Sequence, residues 1–162
     1  MWRVWPLTER GGMDHTAAPS QLRATPQIEG LSRDECMSLL ETVFVGRVGV
    51  SVGAIPAVLP VNYVMDGDTI VFRTVPGTKL DAALTNSVVA FEADDFDALH
   101  ETGWSVLVRG IAREVTDEHA LARARRLPLR SWAFNGDADR YVRIDAELVT
   151  GRRITTRDDR FD

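Results

Sequence analysis

The sequence is short of most features that would announce a function. It has one cysteine, Cys36, in 162 residues. No intrachain disulfide can form, and a cysteine-based zinc site is excluded. The histidines are His15, His100 and His119, and no two stand at metal-ligand spacing. No apolar run approaches the roughly 18 residues that a membrane-spanning helix needs. Basic charge is also scarce: Lys and Arg total 19 against 24 Asp and Glu, a formal net charge of −5. Phosphate backbones repel an acidic chain, so nucleic acid is not expected as a partner, and neither is a membrane. The single thiol fits a reducing, cytoplasmic setting. What remains is an ordinary globular composition, 44% hydrophobic and 27% charged, enough for one domain with its own core.

The first 27 residues differ from the rest. They are rich in Pro, Thr, Ala, Gly and Arg, and Trp2-Arg3-Val4-Trp5-Pro6 is too broken for a signal peptide. They read as a disordered N-terminal extension, followed by a folded domain over 28–154 and a flexible tail over 155–162. Ser32-Arg33-Asp34-Glu35 is a capping box, with Cys36, Leu39, Leu40 and Val43 behind it at helical spacing. Gly46 is expected to end that helix. From Arg47 to Arg73 the period falls to two. Strands are predicted at Val48–Val52, Val58–Val64 and Thr69–Thr74, with turns at Gly53-Ala54-Ile55-Pro56 and Asp66-Gly67-Asp68. Links this short make an antiparallel meander. A short helix is expected over 78–84, strands at Ser87–Ala93 and Gly103–Arg113, and a second helix from a Thr116 cap through Leu127. Tyr141–Ile144 and Val149–Ile154 supply the last strand material. About six strands with flanking helices imply a mainly β fold, a small closed barrel with helices packed outside.

Few residue patterns carry chemistry. Gly49-Val50-Ser51-Val52-Gly53 matches the G-x-S-x-G form of serine hydrolases, but that motif works on a strand-to-helix turn, and here Ser51 lies within a strand before a hairpin. Glu92, Asp94, Asp95, Asp97 and Glu101 lack the spacing of a calcium loop and read as a solvated strand end. Arg123, Arg125, Arg126 and Arg130 are a solvated helix face or a contact for an anionic ligand tail. Cys36 falls on the apolar face of its helix and reads as a packed thiol.

The most informative stretch is Phe72-Arg73-Thr74-Val75-Pro76-Gly77-Thr78-Lys79, a strand running into a helix start. Helix N-termini attract anions through unpaired N–H groups, and Arg73, Lys79, Thr74 and Thr78 add charge and hydroxyl donors. The composition is that of a phosphate cradle without a Walker loop. An ordinary turn before a capped helix fits the same residues. Asn62 places an amide inside the otherwise apolar Pro60-Val61-Asn62-Tyr63, either facing solvent or reading a polar ring edge.

These segments, together with Gly103-Trp104-Ser105-Val106-Leu107-Val108-Arg109-Gly110, Leu127-Pro128-Leu129-Arg130-Ser131-Trp132 and Val149-Thr150-Gly151-Arg152-Arg153-Ile154, stand in a familiar order. Over about residues 29–154 the chain resembles the pyridoxamine 5′-phosphate oxidase-like flavin-binding split barrels, in particular the small actinobacterial members. The resemblance implies a six-stranded antiparallel split β-barrel that forms a homodimer, with a flavin in each of two clefts between subunits. Pro60, Val61 and Asn62 would line the isoalloxazine edge. Arg73, Thr74, Thr78 and Lys79 would hold the ribityl phosphate. Trp104 and Ser105 would come from the partner chain, and Trp132 would close the pocket. The implied cofactor is FMN, although related subfamilies use a deazaflavin coenzyme or bind haem. The implied activity is a flavin-dependent oxidoreductase acting on a small molecule, with a non-catalytic binding, storage or sensing protein as the alternative. Two departures bear on substrate. The C-terminal Arg/His signature of true pyridoxamine phosphate oxidases is missing, and Arg73 stands where the nitroimidazole-reductase branch usually has His.

Overall fold

A computed structural model describes residues 25–74, 84, 86–129 and 140–157. The elements are β1 (Thr25–Leu31), α1 (Arg33–Leu40), β2 (Val45–Val52), β3 (Ile55–Asp66), β4 (Thr69–Thr74), β5 (Ser87–Asp97), β6 (Thr102–Glu114), α2 (Glu118–Ala124), β7 (Arg140–Asp145) and β8 (Leu148–Arg157). All strand pairs are antiparallel, in the order β1-β8-β6-β5-β2-β3-β4-β7, and β7 also pairs with β6. That last pairing closes β6-β5-β2-β3-β4-β7 into the six-stranded barrel. β8 and β1 extend outward from the other stretch of the same β6 edge.

Alternation puts one side of every strand into this barrel. Val48, Ile70, Phe72, Phe91, Val106, Val108 and Ile144 are buried there, with Tyr63 set edge-on to Phe91 at 4.8 Å between ring centroids. The Tyr63 hydroxyl donates to Leu40 O at 2.7 Å. Burial first, and the Glu92 charge second, push that phenol's pKa up. Helix α1 drops Cys36 and Leu40 into the same core. Its first residue ties it down, Arg33 Nη2 donating to Ala146 O at 2.9 Å. Cys36 is a packed thiol, its pKa raised by burial first. A second, outer cluster joins Val71 and Tyr141 to Ala124, with Leu121 and Leu127 against them; this is how α2 attaches.

The Ser32 capping box forms. The Ser32 N–H and hydroxyl donate to Glu35 Oε2 at 2.8 and 2.7 Å, and Ser32 Oγ accepts from the Glu35 N–H at 3.3 Å. The Ser32 N–H first, and its hydroxyl second, hold the Glu35 carboxyl below its ordinary 4.5. A depressed carboxylate pKa contributes stability above the unfolded value, and that stability is lost as pH falls through the folded value. Glu35→Ala is therefore expected to melt below wild type at neutral pH, with the gap narrowing as pH drops under 4.5. Thermal melts across that interval check it; a gap that does not change with acid would mean the carboxylate bonds are not its source.

The structure corrects several sequence-based expectations. Gly46 does not end α1; it lies within β2, where a Cβ would stand 2.3 Å from Phe91 Cζ. The glycine is there because the Phe91 ring presses on the backbone, which a pattern of one chain segment does not reveal. The second helix is capped by Asp117, not Thr116, and stops at Ala124, with tighter turns carrying the chain to Leu127. Asp117 wins because its carboxylate accepts from the Ala120 N–H at 2.8 Å. The last strand material is two strands, and β1 is one more. Thr25 pairs with Arg157, so the domain boundaries at 28 and 154 both move outward, to Thr25 and Arg157. The helix expected over 78–84 lies outside the described residues except for Leu84, which is buried in the core.

Candidate functional site

The expected site residues fall into two groups: Pro60, Asn62 and Arg73 face outward on β3 and β4 and Ser105 on β6, whereas Val61 and Trp104 turn the other way and pack against the core. The first starts on β3. Tyr63 is the last β3 residue in register with β4, opposite Phe72. Both rings point inward, so the next residues, Asn62 and Arg73, face outward side by side. Arg73 pairs in turn with Tyr141 of β7. Its guanidinium carbon lies 5.7 Å from the centre of the Tyr141 ring, a cation–π contact. Tyr141 is itself buried beneath α2, so the row Asn62–Arg73–Tyr141 rests on a fixed base. Asn62 Nδ2 donates to Phe44 O at 3.4 Å, a long bond that leaves its amide oxygen available.

Pro60 and Val61 continue the first group. Pro60 is exposed opposite Arg47, and Val61 is half-buried opposite Gly46. At Pro60 the strand pairs with β2 on one edge, and its pairing with β4 begins only at Tyr63. The proline, lacking an N–H, therefore removes no rung on the β4 side. Thr74 separates from this group. Alternation turns it inward, and it is buried. Thr78, Lys79 and Trp132 lie outside the described residues.

The second group is on β6. Trp104 is half-buried against the core, and Ser105 is exposed opposite Arg152. Between it and Asn62 lie β2 and β5, in the order β3-β2-β5-β6. Three strand spacings amount to about 14 Å along the sheet. One chain does not bring Trp104 and Ser105 to Pro60, Asn62 and Arg73.

The family model for pyridoxamine 5′-phosphate oxidase matches residues 32–153. The chain belongs to that family. An uncharacterized protein of Mycobacterium tuberculosis is 42% identical over 146 residues, covering 85% of this chain and 95% of the relative. Among solved structures, an FAD binding protein from Mycobacterium smegmatis is 44% identical, with a TM-score of 0.68 over 76% of this chain and 96% of the other. An FAD and haem binding protein from the same organism has a TM-score of 0.63, covering 78% and 74% of the two chains; at 15% identity it shows the shared fold alone.

The family match spans both groups. It also spans a charged pair of contacts between them that the sequence pattern did not single out. Arg47 Nη1 donates to Glu92 Oε2 at 3.0 Å and to Asp94 Oδ1. Burial first and the Asp94 charge second push the Glu92 carboxyl up, against the pull of Arg47. Tyr141 was likewise legible only as a strand residue. Its place under Arg73 depends on the β4–β7 register, which no local signal encodes.

Ser51 is exposed on β2 before a hairpin, so the G-x-S-x-G match is not a nucleophile turn. Asp94, Asp95, Asp97 and Glu101 are exposed, and among the described residues no group of His, Cys, Asp and Glu could hold a metal. Arg123 bonds Asp66 at the end of β3. No helix among the described residues is long and apolar enough to cross a membrane.

Proposed function

We propose that this member of the pyridoxamine 5′-phosphate oxidase family binds a flavin on the Asn62–Arg73 row and acts as a cytoplasmic oxidoreductase on a small molecule. The observation that carries the reading is the row itself: an amide and a guanidinium side by side on an outward face, the guanidinium backed by a buried tyrosine. Such a donor set suits a ligand with a polar ring edge and a phosphate. The flavin, when bound, supplies the hydride and electron chemistry. The chain orients it. Arg73 holds the phosphate, Asn62 bonds the ring edge, and Pro60, on the same outward face, gives it an apolar contact.

The separation of Trp104 and Ser105 from that row supports a homodimer, in which a second copy brings its β6 to the first copy's β3. Exposed Val58, Val88 and Leu107 on the outer faces of β3, β5 and β6 give such a contact apolar area. The sequence resemblance points to FMN. The 44% identical relative is an FAD binding protein, so FAD is the first flavin to test.

The absorption spectrum of the purified protein tests this reading, because flavin, deazaflavin and haem have separate bands. A flavin band that NAD(P)H bleaches and a small acceptor restores is the expected result. A bound flavin that nothing turns over would favour storage or sensing, and a haem band would replace the reading. Light scattering of the same sample is expected to give twice the 18.0 kDa chain mass. A flavin-bound monomer would remove the two-chain site.

A further inference from the structure

Away from both groups of site residues, a recess of about 250 Å³ opens between the end of α1 and β3, with Glu41, Val43, Phe44, Met65 and Pro128 in its lining. The register explains the gap. β2 begins at Val45, opposite Asn62, whereas Tyr63–Asp66 pair with β4 on the other edge. The Tyr63 N–H still reaches Phe44 O at 3.1 Å. Beyond that bond, this edge of β3 has no strand opposite it among the described residues. Met65 stands two residues on and repeats the orientation of Tyr63, so its peptide N–H and C=O face the gap.

The charge of the recess has one sign. Glu41 is its one charged lining residue. The Tyr63 hydroxyl is committed to Leu40 O, and its raised pKa keeps the phenol neutral. The Glu41 side chain is exposed, and its carboxylate has no ion pair or hydrogen bond among the described residues. Glu41 also caps α1, whose last turn carries no basic residue, so the negative end of the helix dipole is not offset there. Arg123, which reaches β3 at the next residue, Asp66, is paired with that carboxylate. A carboxylate, a helix C-terminus and an edge carbonyl beside apolar walls suit a cation with an apolar body and repel an anion.

We infer that this recess binds a small organic ammonium ion, its charged group on the Glu41 carboxylate and the Met65 carbonyl, its apolar body against Val43 and Pro128. The volume limits that body to about one ring, since drug-sized sites begin near about 300 Å³. The site takes the opposite charge to a flavin phosphate and uses none of the residues of the Asn62–Arg73 row, so it stands or falls independently of the flavin.

Calorimetric titration of the full chain with benzylammonium, benzyl alcohol and benzoate tests this. Benzylammonium is expected to bind saturably, and the other two at least about five-fold more weakly. Glu41→Gln should weaken benzylammonium about five- to ten-fold, the low end for a charge-assisted bond because the carboxylate is exposed. Added salt should weaken it as well. Glu29→Gln, on β1 and outside the recess, should change nothing. In methyl-labelled protein, the NMR signals of Met65 and Val43 should move along the titration while that of Val58 stays in place. No saturable benzylammonium binding, equal binding of benzyl alcohol, a Glu41→Gln protein as tight as wild type, or shifts that miss Met65 would each overturn the inference.

Discussion

Arg73→Ala is expected to yield folded protein that binds FAD and FMN roughly ten- to a hundred-fold more weakly than wild type. A charge-assisted hydrogen bond to phosphate contributes about 1.5–3 kcal/mol, which converts to that range. The fold should survive because Arg73 is only half-buried and faces out, while Phe72 and Thr74 on either side hold β4 in the core. Tyr141 keeps its place under α2 without it. Arg73→Lys should recover part of the affinity, having the charge but not the planar fork. The decisive comparison is riboflavin, which lacks the phosphate. It should bind wild type weakly, and Arg73→Ala should bind it no worse. Lys79→Ala is expected to behave like Arg73→Ala on the sequence pattern alone. Equal losses for riboflavin and FAD in Arg73→Ala would mean a general disturbance of β4, and no loss for either would take the phosphate off this row.

Gly110→Ala is expected to be the most damaging glycine-to-alanine change among the described residues. A Cβ at Gly110 would stand 2.0 Å from Asp145 O and 3.2 Å from Ile144 Cγ2. The first of these is backbone at the end of β7, which cannot swing aside as a side-chain tip could. Gly110 also sits where β6 changes partners. Residues up to Arg109 pair with β8, and residues from Ala112 pair with β7. The two pairings differ in register by one residue, with Ala146 and Glu147 between them, so the chain must press close at this corner. Overpacking ordinarily costs 1–3 kcal/mol, and against backbone the loss should reach about 3 kcal/mol or more. For a chain of this size that is a melting-temperature drop of about 6–12 °C or more. Gly30→Ala is the control, since a Cβ there meets nothing within 4 Å. It should fall within about 0.5 kcal/mol of wild type. Thermal melts at matched protein concentration compare them. A Gly110→Ala protein as stable as Gly30→Ala would show that β7 yields, and that the corner is not fixed by this contact.

These two residues also mark how far the sequence can be read. The alternation of Val48, Val50 and Val52, the Asp66-Gly67-Asp68 turn and the Ser32 capping box are local signals, and the structure contains each of them. A period of two already states which face of a strand is apolar, and short links state that neighbours are antiparallel. Asn62 and Arg73 could be singled out because a polar group on an otherwise apolar strand, or a cation at a strand end, is conspicuous without any partner. Arg47 and Tyr141 could not. An arginine among alternating valines and a tyrosine opening a strand look ordinary until register sets one beside Glu92 and the other beneath Arg73.

Composition and local pattern thus determined the class of fold, the direction of its strands and the faces its side chains take, because these depend on neighbours within a few residues. Closure, register and glycine placement were decided only in the folded barrel. Gly46 is a strand residue because Phe91, forty-five positions later, occupies the space of its missing side chain. β1 is a strand because Thr25–Leu31 finds β8 at the far end of the chain. Pairing energies between distant segments outweigh local propensity at such places, and they are set by which strands become neighbours, a quantity no single stretch of sequence contains.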